Sequence, residues 1–142
     1  MIDQVRLVAS DPRVIPIAQM VAERDDVPDL VDEVKQALSS GSAYLFAFRA
    51  GFFILQPYVN ERLENVVNVL LAHGKGGFSV KTYLPVIVQL AQTIGAVKLS
   101  SYTRHDRVGR VLERYGFMSA GRNAEGLIFY EMCLGCSNGE RS

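Results

Sequence analysis

The sequence predicts an α+β fold of about six to seven strands with about four helices. Segments rich in branched and aromatic residues, which are typical of β-strands, alternate with segments whose apolar residues recur at helical spacing. Proline and glycine mark most boundaries between these segments. Apolar residues make up 49% and charged residues 21% of the 142 residues, which is the composition of a globular chain with enough apolar side chains for a full core.

The first half of the chain predicts one strand, two helices and a group of three strands. Residues 2–8 alternate loosely and form the first predicted strand. Residues 10–12 and 25–28 each combine a polar residue with a proline, which is a helix start signal because an early proline needs no amide hydrogen. Gly41 can end the second helix. The three strands are predicted over residues 43–48, 52–59 and 65–72.

The second half predicts two helices, each followed by strand structure. Residues 84–94 form a mostly apolar helix, in which Pro85 falls in the first turn if Thr82 is the N-cap. A short strand follows over residues 97–101. Val108, Val111, Leu112 and Tyr115 give one face of the next helix, which Gly116 stops. Two closing strands are predicted at residues 117–121 and 127–134, around a turn at residues 123–126.

The element order and two local segments resemble the GNAT (Gcn5-related N-acetyltransferase) superfamily over nearly the whole chain. The sequence VLERYGFMSAG, residues 111–121, is similar to the late helix and following strand of that family. Residues 95–117 are also similar to a segment of the GNAT-like proteins encoded among tailed-phage structural genes. The resemblance implies one domain over residues 1–134 with a polar tail at 135–142. It also implies a mixed, twisted sheet in which strands 65–72 and 97–101 diverge beside helix 84–94.

A glycine-rich segment between a predicted strand and a predicted helix is the candidate cofactor site. Glycines let backbone amides approach a ligand, and a helix start adds free N–H groups that favour a pyrophosphate. The resemblance implies that residues 67–90 hold acetyl-CoA. The family pattern at this place is Gln or Arg, two residues, Gly, one residue, then Gly or Ala. This sequence departs from it, because alignment on Gly76 puts His73 at the first position and Phe78 at the last. A β-to-α turn with solvated lysines remains the alternative. The candidate residues are His73, Gly74, Lys75, Gly76, Gly77 and Phe78.

The candidate catalytic residues are Tyr115 and His105, on the predicted helix after strand 97–101. The resemblance implies an Asn at the start of this helix and, near its end, a Tyr that protonates the departing thiolate. Those positions hold His105 and Leu112, and leucine cannot donate a proton. Tyr115 is the nearest hydroxyl. His73 and His105 are candidate general bases because neutral imidazole exists near pH 7, with roles as loop or cap residues as the alternative.

Two interpretations of function remain open at this point. One is a GNAT-like enzyme that transfers acetyl from acetyl-CoA to an unidentified amine acceptor with a degraded catalytic site. The other is a catalytically inactive structural or interaction protein of a bacteriophage virion, with protein partners in a viral assembly. The fold resemblance and the glycine segment favour the first, whereas Leu112 favours the second.

Charge and cysteine usage exclude several other classes. Lys and Arg total 15, as do Asp and Glu, so we expect neither nucleic acid nor membrane as a partner. The first residues lack the apolar core of a secretory signal, which predicts a place in the cytoplasm or a virion. Cys133 and Cys136 are interpreted as two incidental thiols, and no metal is expected, because a structural zinc site takes four ligands.

Overall fold

The computed structural model describes residues 5–75, 80–104, 106–124 and 126–134, and within them the predicted order of strands and helices is confirmed. The seven strands are β1 (Arg6–Val8), β2 (Tyr44–Phe48), β3 (Gly51–Val59), β4 (Asn65–Gly74), β5 (Lys98–Thr103), β6 (Met118–Arg122) and β7 (Ile128–Cys133). The four helices are α1 (Val14–Asp25), α2 (Leu30–Ser40), α3 (Val80–Thr93) and α4 (Asp106–Arg114).

The chain divides into two compact units. The first comprises Met1–Gln56 and Val69–Thr82, and the second comprises Pro57–Asn68 and Tyr83–Ser142. The strands β3 and β4 and the helix α3 each contribute residues to both units. The single domain expected over residues 1–134 stays a prediction, and the tail at residues 135–142 lies outside the described residues.

One sheet has the strand order β1-β2-β3-β4-β5-β7-β6. The pairs β1–β2, β2–β3, β5–β7 and β6–β7 are antiparallel. The β4–β5 pair is different, because the Val97 amide donates to the Asn65 carbonyl (2.8 Å) and the Ser100 hydroxyl donates to Asn68 Oδ1 (3.0 Å). Both contacts join residues 32 positions apart, and a constant offset means that the strands run parallel. The predicted mixed sheet is therefore confirmed, while the divergence of β4 and β5 stays a prediction.

In the first unit, the start of α1 differs from the prediction. The helix begins at Val14, and the N-cap residue Arg13 makes no side-chain cap. The Asp11 carboxylate accepts hydrogen bonds from the Arg13 backbone amide (2.9 Å) and from the Arg13 guanidinium (2.7 Å), so it is paired with Arg13 just before the helix begins. The predicted end of α2 is confirmed, since Gly41 adopts a left-handed φ of 80° at its C-cap.

The start of α3 also differs. The helix begins at Val80 and not after Thr82, so Pro85 lies in its second turn. The prediction that Pro85 disturbs no hydrogen bond is therefore wrong, because a proline at this position cannot donate to the carbonyl four residues earlier. Pro85 is exposed, which lets solvent satisfy that carbonyl while Ile87 and Ala91, on the opposite face, are fully buried.

Candidate functional site

The end of β4 forms the first part of the candidate cofactor site. The strand extends to Gly74, two residues beyond the predicted end at Ala72, so His73 and Gly74 are strand residues rather than loop residues. Gly51 makes this extension possible, since a Cβ at that position would overlap the carbonyl group of His73. The Lys75 amide then donates to the Ala50 carbonyl over 2.8 Å. The contact with β3 therefore holds the backbone of His73–Lys75 in place where the glycine segment begins.

The His73 side chain is half-buried in the first unit. Its ring lies 6.1 Å, centroid to centroid, from the ring of Phe52. Burial, followed by the positive charges of Lys75 and Arg13, lowers the pKa of His73 below its ordinary value. A lowered pKa keeps the imidazole neutral near pH 7, so His73 is available there both as a hydrogen-bond partner and as a base.

The cations around this end of β4 have different roles. Arg13 pairs with Asp11 at 2.7 Å and donates to the carbonyl of Phe48 (3.1 Å), so it attaches the start of α1 to the end of β2. Lys75 and Lys81 are exposed, and neither makes an ion pair within the described part of the chain. These two ammonium groups flank the glycine segment and are available to an anionic ligand.

Four of the predicted site residues cannot be placed. Gly76, Gly77 and Phe78 of the cofactor segment, and the catalytic candidate His105, lie outside the described residues. Their roles therefore stay predictions. Of the predicted cofactor residues, the structure brings together His73, Gly74 and Lys75 in the first unit.

Tyr115, the other predicted catalytic residue, lies in the second unit. It directly follows the last residue of α4 and lies in the terminal turn of that helix, where its amide still donates to the carbonyl of Val111 (3.3 Å) at helical spacing. Its amide also donates to the carbonyl of Leu112 (3.1 Å), and its side chain is half-buried. Leu112 is 8% exposed and belongs to the core. That Leu112 stands at the family's proton-donor position stays a prediction from the resemblance.

The sequence interpretation missed the contact between Tyr130 of β7 and Gly109 of α4. Tyr130 is 5% exposed, and its hydroxyl lies against Gly109, where a Cβ would overlap it. Burial, with the negative charges of Glu113 and Asp106, raises the pKa of Tyr130. The hydroxyl therefore stays protonated well above neutral pH. Gly109 is the signal in the sequence that could have indicated this contact, because a glycine inside a helix lowers helix propensity and usually has a packing reason.

The described ranges contain neither a metal-binding cluster nor a helix that could cross a membrane. No group of three or more His, Cys, Asp or Glu side chains in these ranges is arranged to hold a metal ion. Cys133 is exposed, and Cys136 lies outside the described ranges. Within the same part of the chain, no helix has the length and apolar character needed to cross a membrane.

Comparison with known proteins identifies the fold. No protein-family model and no curated protein matches the chain. Among solved structures, it is similar to a GNAT-family acetyltransferase from Listeria monocytogenes, with a TM-score of 0.62 and 15% identity over 92% of this chain and 95% of that chain. For a GNAT-family acetyltransferase from Staphylococcus aureus, the TM-score is 0.62 and the identity is 10%, over 92% of this chain and 99% of that chain. For PaiA N-acetyltransferase from Thermoplasma acidophilum, in complex with coenzyme A, the TM-score is 0.58 and the identity is 13%, over 92% of this chain and 99% of that chain. The chain therefore has the fold of the GNAT acetyltransferases.

Proposed function

We propose that this protein binds acetyl-CoA at the end of β4 and transfers the acetyl group slowly to an amine. The observation that carries the proposal is the glycine segment between β4 and α3, flanked by the exposed Lys75 and Lys81, in a chain with the acetyltransferase fold. Similar structures include complexes with coenzyme A, which supports this ligand class.

The residues present fit an anionic nucleotide in charge and in backbone freedom. The Lys75 amide already donates to Ala50, so it is not available to a phosphate. We therefore assign the phosphate-binding amides to Gly76, Gly77 and the start of α3, where helix amides have no partner within the helix. Lys75 and Lys81 would supply the countercharge.

The reaction itself limits the expected rate. Acetyl-CoA, when bound, supplies an activated thioester. Acetyl transfer forms an N–C bond and breaks the C–S bond, so the amine loses a proton and the departing sulfur gains one. Leu112 cannot supply that proton, and Tyr115 and His105 are the proposed donors in its place. A positioned acid contributes about 10²–10⁴-fold, while positioning of the reactants still accelerates transfer without it.

Calorimetry with acetyl-CoA and with CoA tests binding. The variant Gly76→Val should abolish binding because a branched side chain blocks backbone approach, and the pair Lys75→Gln with Lys81→Gln should weaken it by roughly tenfold at low salt. Lys35→Gln on α2 is the matched control, because it removes an exposed lysine remote in sequence from the glycine segment. Unchanged affinity in the Gly76 variant would place the nucleotide elsewhere.

The variant Leu112→Tyr tests the degraded catalytic site. If the ligand sites are intact, restoring a hydroxyl should raise kcat for an amine acceptor. Because Leu112 is buried, a larger side chain also costs about 1–3 kcal/mol of stability, so the variant's thermal unfolding must be measured alongside. Rapid turnover by the parent protein would contradict a degraded site, and Tyr115→Phe would then test the nearest hydroxyl.

A second candidate function is a catalytically inactive structural or interaction protein of a bacteriophage virion. The observation that favours it is the buried apolar side chain of Leu112 at the acid position. A GNAT fold does not require acetyl transfer, because function resides in the site and not in the fold. Absence of any measurable affinity for acetyl-CoA and CoA in the parent protein would favour this candidate over the enzyme.

A further inference from the structure

The turn between β3 and β4, residues 60–64, is held rigidly by Asn60. The Asn60 side-chain oxygen accepts hydrogen bonds from the amides of Arg62 (3.0 Å) and Glu64 (2.9 Å), and its side-chain nitrogen donates to the Glu64 carboxylate (2.8 Å). The backbone carbonyl of Asn60 also accepts from the amide of Leu63 (3.0 Å). The Glu64 carboxylate pairs with Lys98 of β5 at 3.0 Å. These contacts fix the turn against the start of β5.

Leu63 within this turn combines an unfavourable backbone with an unfavourable exposure. Its φ of 62° lies in the left-handed region, where a leucine is strained and a glycine or asparagine is not. Its side chain is 84% exposed, more than any other large hydrophobic residue that the structure describes. Neither stability nor packing within the chain explains a leucine here, and strain kept at an exposed apolar residue points to a contact with another molecule.

An apolar groove in the same unit lies beside this turn. It has a volume of about 230 Å³, and its walls include Tyr58 and Val59 from the end of β3 and Ile94 and Ala96 from the connection between α3 and β5. Val59 and Ile94 are each 58% exposed. Because an apolar cavity of roughly 150 Å³ accommodates a benzene molecule, this groove has room for one leucine side chain.

We propose that residues 57–66 and 94–97, the turn-and-groove face, form a two-fold interface with a second copy of this chain. In this arrangement Leu63 of each subunit enters the groove of the other. A two-fold interface uses the same patch on both subunits, so it needs a projecting group and a recess close together, and Leu63 lies in sequence between residues 57–59 and 65–66, which line the groove.

The charges on the turn favour a second copy over a different partner. Glu61 and Arg62 are adjacent and exposed, and the ion pairs of the described residues include neither of them. In the proposed arrangement a two-fold axis beside the turn would bring Glu61 opposite Arg62 of the partner subunit, once on each side. A face with one acid and one base next to each other can pair with a copy of itself twice, whereas a partner with charge of a single sign gains attraction at one residue and loses it at the other.

Sedimentation velocity across a concentration series tests the proposal with Leu63→Asn. The parent should be a reversible dimer, and the variant's dimer dissociation constant should rise at least about 100-fold, because each dimer loses two buried leucines. Asparagine tolerates the left-handed region, so the variant's melting temperature, measured where both proteins are monomeric, should equal or exceed the parent's. Leu7→Asn, which alters a leucine that is 61% exposed in β1 of the other unit, is the matched control and should leave the dimer intact.

A charge-swap series gives a second, independent readout. Glu61→Arg and Arg62→Glu should each weaken the dimer by bringing like charges together, and the double swap should restore it. A parent that stays monomeric up to about 200 μM would overturn the proposal, and so would a dimer that is unaffected by Leu63→Asn. Restoration of the dimer by the double swap would support it, whereas purely additive losses in the series would count against this two-fold pairing.

Discussion

The replacement of Gly109 by alanine sets helix propensity against packing. In an exposed helix interior this change stabilises by about 1 kcal/mol. At Gly109, however, a Cβ would lie 3.0 Å from Cζ of Tyr130 and closer still to its hydroxyl oxygen. Overpacking of a core costs about 1–3 kcal/mol. Tyr130 cannot easily move away, because it is 5% exposed and lies on β7 between Ser101 of β5 and Ser119 of β6.

Because the overlap with the Tyr130 hydroxyl is severe, we expect the upper part of this cost, about 2–3 kcal/mol. Less about 1 kcal/mol of helix propensity, Gly109→Ala should lower the free energy of unfolding by about 1–2 kcal/mol, which is a fall of roughly 3–6 °C in Tm. In the Tyr130→Phe background, the closest atom is gone and the ring carbon needs to move by only a few tenths of an ångström. The cost of the alanine should then approach zero, with a coupling of at least about 1 kcal/mol between the two sites.

Urea unfolding of the two single variants and the double variant measures this coupling. Arg110→Ala is the control, since it alters the next, exposed residue of α4 and should stay within about 0.5 kcal/mol of the parent. If Gly109→Ala stabilises the protein, or if the two substitutions are additive, then the Tyr130 hydroxyl does not limit the space at Gly109 and the reasoning fails.

Three further predictions concern the first unit. Gly51→Ala should lower the free energy of unfolding by about 1–3 kcal/mol in urea titrations, because the added Cβ would overlap the backbone of His73. Burial lowers the pKa of His73, so below about pH 6.5 the unfolded chain binds more protons than the folded protein. The free energy of unfolding should therefore fall as the pH drops below about 6.5, and His73→Gln should reduce this fall. The hydrogen bonds from Arg13 lower the pKa of Asp11, so stability should also fall below about pH 4, and less steeply in Asp11→Asn.

The pattern of apolar residues predicts every strand and helix of the described chain, because each element must bury one face and the spacing of that face is local information. Boundaries are less predictable where tertiary contacts extend an element. β4 continues to Gly74 because Gly51 on the neighbouring strand leaves room for it. Likewise α3 begins before Pro85, since the exposed face tolerates a missing hydrogen bond.

The candidate site was predictable only in part. The glycine segment and its lysines are visible in the sequence, because residue type decides charge and backbone freedom. The contact of Tyr130 with Gly109 joins residues that are 21 positions apart in the chain, and no local pattern indicates that pairing. Leu63 gives no warning of its left-handed backbone, since leucine normally avoids that region and the hydrogen bonds of Asn60 that fix this turn are not visible in the sequence.

Properties that depend on residue type alone could thus be read from the chain directly. These include the balance of charge, the absence of a hydroxyl at Leu112 and the order of strands and helices. The parallel pairing of β4 with β5, the lowered pKa of His73 and the groove beside Leu63 required coordinates. Each of them arises from groups brought together by folding from distant parts of the sequence, and such encounters depend on chain topology and close packing rather than on local periodicity.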